Sequence, residues 1–398
     1  TGALGAWNPN VNGTVRAIVL SGQSLYLGGD FTSVNGGVTR NRAAAIDLTN
    51  GALLPWNPDL NDWVRTLKVS GSTVYMGGAF TLVNGGTTRR KAAAFDANTA
   101  TATSWNPDFN NFVETIAVGA SAIYLGGNFT TANDGTPRNF TAAVDTGSGL
   151  LRPWNPNANG MVRAIATWGS TVYLAGEFTT LLGGTSRNRA ASVDAEIATL
   201  TPWNPDINGT VYAMTVEGTT AYLAGSFTSI GSTLRNYAAA IDTVTSTAAS
   251  WNPSLDGWGR SVSIFDSSIY LGGSFRSIGG TPRNRVAAVD MSNGSVTAWN
   301  PNAGEIVYAV DIDCVNRRTI LGGLFTRMGN SSAGGLSIYP AGDRCPTPAS
   351  DAGVEDGGTS EIDAGVDLPR DAFVFLVTPR ETVQCATAYA AWTNGGPE

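Results

Sequence analysis

Histidine is absent from the 398 residues. Its absence removes His general bases, Ser-His-Asp and Cys-His nucleophile pairs, and His-ligated zinc. Lysine is nearly absent too, with only Lys68 and Lys91, and charged residues make up just 14% of the chain. The formal charge of −7 falls entirely after residue 345, because residues 1–345 hold 22 basic and 22 acidic side chains. A neutral, lysine-poor body lacks the basic footprint of a nucleic-acid binder, so no nucleic-acid partner is expected. No apolar run reaches the ~18 residues of a membrane helix, so no membrane-spanning segment is expected either. The first residue is Thr1 rather than Met, which reads as a processed, exported product, secreted or held at the cell surface.

Cysteine is sparse: Cys314, Cys345 and Cys385. An odd count in an exported chain suggests one disulfide and a spare thiol. Cys314 and Cys345 bracket the last repeat described below. A bridge between them would pin that end, worth about 3–4 kcal/mol for a loop of roughly 30 residues. Without a His to activate it, no cysteine is a candidate nucleophile.

What the chain has in abundance is repetition. Trp-Asn-Pro begins at Trp7, Trp56, Trp105, Trp154, Trp203, Trp251 and Trp299, spaced 49 residues apart four times and then 48 twice. A Gly two residues before a Phe recurs at Gly29, Gly78, Gly127, Gly176, Gly225, Gly273 and Gly323. A fixed period of that length marks a repeat architecture. In the first full copy the expected strands are residues 15–20, 25–28, 42–47 and 52–56, separated by Ser21-Gly22, Asn35-Gly36-Gly37 and Thr49-Asn50-Gly51. Four short antiparallel strands per unit of this size make a propeller blade. The expected fold is all-β: a seven-bladed β-propeller of four-stranded blades over residues 1–345. Residues 2–7 match a fourth strand with nothing before it, so the N-terminal strand is expected to complete the last blade and leave no open edge.

Two positions carry structural expectations. Ala175 and Ala224 replace the first Gly of the Gly-Gly pair, but the second Gly never changes, so the second is expected to be the one that rejects a Cβ. The tryptophans are expected to dock on the next blade. Asp47, Asp96, Asp145, Asp194, Asp242 and Asp290, one per repeat, are expected to cap turns or pair with the repeated Arg rather than to act in catalysis.

Tyr-Leu-Gly-Gly-x-Phe-Thr, Arg-Asn-x-Ala-Ala-x-Asp and Trp-Asn-Pro together, over residues 1 to about 340, resemble the delta-60 repeat family of bacterial β-propellers. That resemblance implies a secreted or surface-attached propeller and implies no catalytic residues. A second pattern, Ala44-x-x-Asp47-x-x-x-Gly51-x-x-x-x-Trp56, looks like the tryptophan-docking motif of quinoprotein dehydrogenases, with different spacing. That motif is itself structural, so no cofactor is expected.

Candidate binding residues come from a position that varies in charge among repeats. It begins each inner strand and reads Arg16, Arg65, Glu114, Arg163, Tyr212, Arg260 and Tyr308. Four Arg with two Tyr can hold an anion or an acidic sugar; they can equally be solvated residues paired with neighbouring acids. Nearby stand Trp63, Phe112 and Trp258, with Asn10, Asp59, Asp108, Asn157, Asp206 and Asn302 in the adjoining loops. Exposed aromatics beside Asn and Asp suit an extracellular glycan. Asp59 with Asp62 lacks the dense acidic spacing of a calcium loop, and no metal site is expected.

Beyond the repeats, residues 346–371 form an acidic Asp/Ala/Gly linker, extended by its own charge. Residues 372–398 form a strand-rich tail too short for a core of its own. Its apolar run, Phe373, Val374, Phe375, Leu376 and Val377, can add to a sheet edge of another subunit and drive self-association. The functional expectation is a non-enzymatic exported scaffold or adhesion protein, with a carbohydrate-binding propeller as the alternative. A polysaccharide lyase or lactonase-like hydrolase would need one asymmetric pocket, and no repeat is visibly singled out for it.

Overall fold

The computed structural model of the protein describes residues 8–314 and 316–340. The expected N-terminal closing strand, Cys345 and Cys385 with the bridge to Cys314, the linker and the apolar run 373–377 all lie outside these residues.

The described chain is all-β, without a helix. In the first repeat β1 is Val15–Ser21, β2 Ser24–Gly29, β3 Ser33–Val34, β4 Val38–Thr39 and β5 Ala43–Asp47. The antiparallel order β1-β2-β5 makes one sheet, and β3 with β4 makes a separate two-stranded ribbon. Seven such pairs of sheets follow one another along the chain. Gly22, at φ 58°, leads the two-residue turn between β1 and β2, a conformation L side chains avoid.

Two details depart from the four-strand expectation. Asn35-Gly36-Gly37 is a turn as expected, but the residues on either side of it, Ser33–Val34 and Val38–Thr39, for which no strand was expected, pair as the ribbon. The fourth strand, expected at 52–56, is reduced to a single bridge, Ile46 to Leu53, matched by Phe95–Ala102, Val144–Leu151, Val193–Leu200, Ile241–Ala248 and Val289–Val296. Past that bridge the chain turns away through Trp-Asn-Pro, where the proline nitrogen has no hydrogen to give a ladder.

The apolar core lies between consecutive repeats. Tyr26, Ala43, Ala45 and Trp56 of the first pack with Val64, Met76, Phe80 and Phe95 of the second. The first strands of successive repeats run side by side, and Val307–Asp313 of the last lies against β1 of the first. There Val11, Val15, Leu25, Leu27 and Phe31 share a cluster with Ile320, Leu336 and Ile338. Polar bonds cross the same seam: the Leu20 N–H donates to the Asp311 carboxylate at 3.1 Å, and Arg318 donates to the Leu48 carbonyl at 3.0 Å.

The tryptophans dock as expected. Trp56 Nε1 donates to the Asp96 carbonyl of the next repeat at 3.0 Å, and Tyr26 meets the Trp56 ring edge-on at 5.0 Å. The bond recurs from Trp105, Trp154, Trp203 and Trp251. The glycine expectation also holds. A Cβ on Gly29 would lie 2.0 Å from the Thr14 carbonyl oxygen, whereas one on Gly28 would meet the Val64 side chain at 2.5 Å. Backbone cannot yield there; a side chain can, and Ala175 and Ala224 stand at the position equivalent to Gly28.

Candidate functional site at the bulged ends of the first strands

Each first strand pairs with its neighbour through one irregularity. Val15 faces Gly29 and Ala17 faces Gly28, so Arg16 is the extra residue of a β-bulge. The same slip leaves Arg65, Glu114, Arg163, Tyr212, Arg260 and Tyr308 as the extra residues of their strands. All seven members of the variable position are therefore bulge residues. A bulge re-aims a side chain and shifts the pairing by one residue, here between Val15 and Ala17.

The structure brings these side chains together. Arg65 Nε donates to Glu114 Oε2 at 2.9 Å, and Arg163 donates to Glu114 Oε1 at 3.1 Å, so one carboxylate holds two arginines from the repeats on either side. Glu114 is only 10% exposed. Arg163 also donates to Glu177 at 2.8 Å, and Arg16 donates to both oxygens of Asp30 at 2.9 Å. Arg163 and Arg260 lie over the Tyr212 ring at 5.5 and 4.0 Å, and Arg16 lies over the Tyr308 ring at 5.3 Å.

Two of the arginines have shifted affinities for their protons. Burial works against the Arg16 cation, but the hydrogen bond and charge of Asp30, with Tyr308 and Glu114 behind, outweigh it and raise its pKa. Arg260 goes the other way. Burial lowers it, Tyr212 and Tyr308 oppose that, and the cations Arg163 and Arg65 add to the lowering.

The aromatics are less uniform than expected. Trp258 is 45% exposed and has Arg260 over its ring at 5.1 Å. Trp63 is half-buried rather than exposed, packed on Phe112 at 5.5 Å with Arg65 over its ring. The neighbouring repeat supplies the ring that covers it.

Of the loop Asn and Asp residues, Asn10, Asp206 and Asn302 are exposed and Asp59, Asp108 and Asn157 are half-buried. Asn10, Asp59, Asp108, Asn157, Asp206 and Asn302 all have φ between 44° and 58°, a backbone region these residue types tolerate. Asp59, Asn157, Asp206 and Asn302 accept from Asn41, Asn139, Asn188 and Asn284. Asp62, the other half of the calcium pair considered, accepts from the Trp63 N–H. Among the described residues no group of three or more metal-ligating side chains assembles. Asn12, Asn61, Asn110, Asn159 and Asn208 are latches whose side-chain oxygen accepts two successive N–H groups of the ribbon.

The repeated acids cap turns. Asp96 accepts from the N–H groups of Thr99 and Asn98, and these bonds hold its carboxyl below the usual range. Bonds first from Ser148, Ile197 and Thr245 do the same for Asp145, Asp194 and Asp242, as do the hydroxyls of Thr49 for Asp47 and Ser292 for Asp290. The repeated Arg serves the backbone instead: Arg40 donates to the carbonyls of Thr39 and Leu54. Cys314 is half-buried, with its sulfur 3.9 Å from the Ile312 carbonyl oxygen.

Sequence reasoning missed the acids that complete the cluster. Asp30 and Glu177 stand 14 residues after Arg16 and Arg163, directly after the unchanging second glycine, Gly29 and Gly176. That position also reads Ala79, Asn128, Ser226, Ser274 and Leu324, and its variation among otherwise constant neighbours was the available signal.

Among solved structures the chain is similar to the WD40 β-propeller domain of Doa1, with a TM-score of 0.58 at 11% identity, covering 86% of this chain and 98% of that one. It is also similar to the computationally designed Ika8 protein, with a TM-score of 0.52 at 12% identity, over 85% of this chain and all of the other. No family model and no curated protein matches the sequence. The fold is that of a β-propeller. Among the described residues no helix is long and apolar enough to cross a membrane.

Proposed function

We propose that the protein is a non-enzymatic exported scaffold, a seven-bladed β-propeller that adheres to an extracellular glycan through the Arg/Tyr/Trp cluster at the mouth of its channel. Support for seven blades in a closed ring comes from the first strands, which run side by side until the last meets the first. The N-terminal strand is proposed to complete the last blade. The delta-60-like signatures support an exported bacterial setting, and the apolar run 373–377 is proposed as the element that joins one molecule to the next.

One observation carries the binding reading. The polar groups that recur in the repeats are committed to the fold: the acids cap turns, the arginines hold carbonyls and the asparagines latch ribbons. The bulge position differs in charge among the repeats, as does the position 14 residues on that supplies Asp30 and Glu177, and their side chains gather into one cluster. Asymmetry built on a symmetric frame is what a binding site requires.

The test is a glycan array probed with labelled protein, beside a variant carrying Arg16→Ala, Arg163→Ala and Arg260→Ala. Binding by the native chain that is lost in a variant with unchanged circular dichroism supports the reading. Binding that survives in the variant, or release of reducing ends from a bound glycan, overturns it. Light scattering of the full chain against a form ending at Cys345 tests self-association, expected only in the longer form.

A further inference from the structure

We propose that Arg260 is the receptor for the carboxylate of an acidic sugar, whose ring rests beside Trp258. This deepens the reading of the cluster as the binding face and depends on it.

The four bulge arginines differ in their company. Arg16 has Asp30, Arg65 has Glu114, and Arg163 has both Glu114 and Glu177. Among the described residues Arg260 has no carboxylate within ion-pair reach, and its shielded Nε has no partner. The repeated arginines Arg40, Arg89, Arg138, Arg187, Arg235 and Arg283 share that unpartnered Nε but hold backbone carbonyls through their terminal nitrogens. A shielded guanidinium N–H without an acceptor is costly unless something else supplies one. The repeat itself shows where that acceptor would come from. The acid that serves Arg16 or Arg163 lies 14 residues on; the same step from Arg260 reaches Ser274, whose hydroxyl donates to the Trp258 carbonyl at 3.4 Å. The sixth repeat has the arginine and lacks the acid.

The ligand class follows from what surrounds the group. The Arg260 guanidinium carbon lies 4.0 Å from the Tyr212 ring centroid and 5.1 Å from that of Trp258, so its near neighbours are aromatic rings that supply no acid. A planar guanidinium without a carboxylate partner matches a carboxylate with two parallel bonds. Four arginines against Asp30, Glu114 and Glu177 leave one positive charge in the cluster, which suits one carboxylate at Arg260. Trp258 is 45% exposed, and an open indole beside an anion site offers a stacking surface to the ring that carries the carboxylate. A hexuronate unit in a chain meets both demands.

The test is calorimetry with trigalacturonate and with the neutral galactose trimer, on the native chain, Arg260→Gln and Ser274→Asp. The substitution at 274 supplies the acid that Asp30 supplies to Arg16, so it fills the site while keeping every arginine. Expected are binding of trigalacturonate by the native chain, at least tenfold weaker binding of the neutral trimer, and at least tenfold loss in both variants. Ser274→Asp is expected to melt no lower than the native chain, which separates occupancy from misfolding. Equal binding of the two trimers, unchanged binding in Arg260→Gln, or competition by millimolar phosphate as strong as by galacturonate overturns the assignment. If a glycan array still gives a signal that the triple arginine variant loses, the binding face stands and only Arg260's role falls. If native protein binds neither the trimers nor any glycan, both fall.

Discussion

Trp154 donates its indole N–H at 2.9 Å to the backbone carbonyl of Asp194, and Asp194 caps its own turn by accepting from the N–H groups of Glu196 and Ile197. One residue thus receives the neighbouring repeat through its main chain and fixes its own turn through its side chain. Tyr124 completes the joint, lying edge-on to Trp154 at 5.0 Å and donating to the Ala195 carbonyl at 2.7 Å. Trp154→Phe keeps most of the ring but removes one of the two donors to the Asp194 carbonyl, the Ala198 N–H remaining at 3.1 Å, for an expected loss of about 0.5–1.5 kcal/mol. Trp154→Ala, which also opens a cavity, is expected to lose about 3–5 kcal/mol. Urea denaturation of the two variants checks the order.

The paired glycines make a sharper contrast. A Cβ on Gly78 would stand 2.2 Å from the Trp63 carbonyl oxygen, while one on Gly77 would press on the side chains of Val113 and Thr66 at 2.6 and 2.8 Å. Gly78→Ala is expected to destabilise by more than about 3 kcal/mol, and Gly77→Ala by about 1–2 kcal/mol, the range of a tolerated overpacking. Equal melting temperatures for the two would contradict this account of why alanine enters only at the first glycine.

Glu114 serves two cations, so its replacement has an unequal effect on them. In Glu114→Gln, Arg163 keeps Glu177, but Arg65 loses its carboxylate. A loss of about 1–3 kcal/mol is expected, larger at low salt, where the surplus positive charge is less screened. Adding Arg65→Gln is expected to recover part of it. Chemical denaturation at two ionic strengths, completed as a double-mutant cycle, reads the coupling.

Alkali should unfold the protein through its docking tyrosines. Burial raises Tyr26, Tyr75, Tyr173 and Tyr222 above the usual phenol range, and pushes Tyr124 and Tyr339 up to about 12. The folded chain then holds these protons at pH values where the unfolded chain has released them. The stability they contribute is complete below about pH 10 and is lost as pH rises through about 12. Phenolate absorbance followed against circular dichroism should show these tyrosines ionising together with unfolding. Ionisation near pH 10 with the fold intact would show that the joints do not exclude phenolate.

Much of this fold was legible because it repeats. The period, three strands of each unit, the docking of Trp56 on the next repeat and the intolerance at Gly29 all follow from comparing equivalent positions. Local deviations were not. The ribbon Ser33–Val34 with Val38–Thr39 has two residues per strand, too few for a pattern, so only the turn Asn35-Gly36-Gly37 between them was legible. The outer strand dwindles to the Ile46–Leu53 bridge although its residues suit a longer one. At the site, the varying position could be named, but nothing in Val15-Arg16-Ala17 announces a bulge. Partners were harder still. Arg65 and Arg260 look alike in sequence, and what separates them is an acid 49 residues on in one case and a serine where an acid would serve in the other.

The seam between last and first repeats sets an order in time. The Trp56–Asp96 bond spans 40 residues and the Tyr26–Ala97 bond 71, so these joints can form soon after the chain emerges. Leu20 must wait for Asp311, 291 residues later, and Val15, Leu27 and Phe31 must wait for Ile320 and Leu336. At about 5–20 residues per second, a ribosome takes roughly 15 to 60 s to make that stretch. For that interval the first repeat's apolar face lacks Ile320 and Leu336, which pack on it in the folded chain, and the newborn chain carries an adhesive face until its last repeat exists.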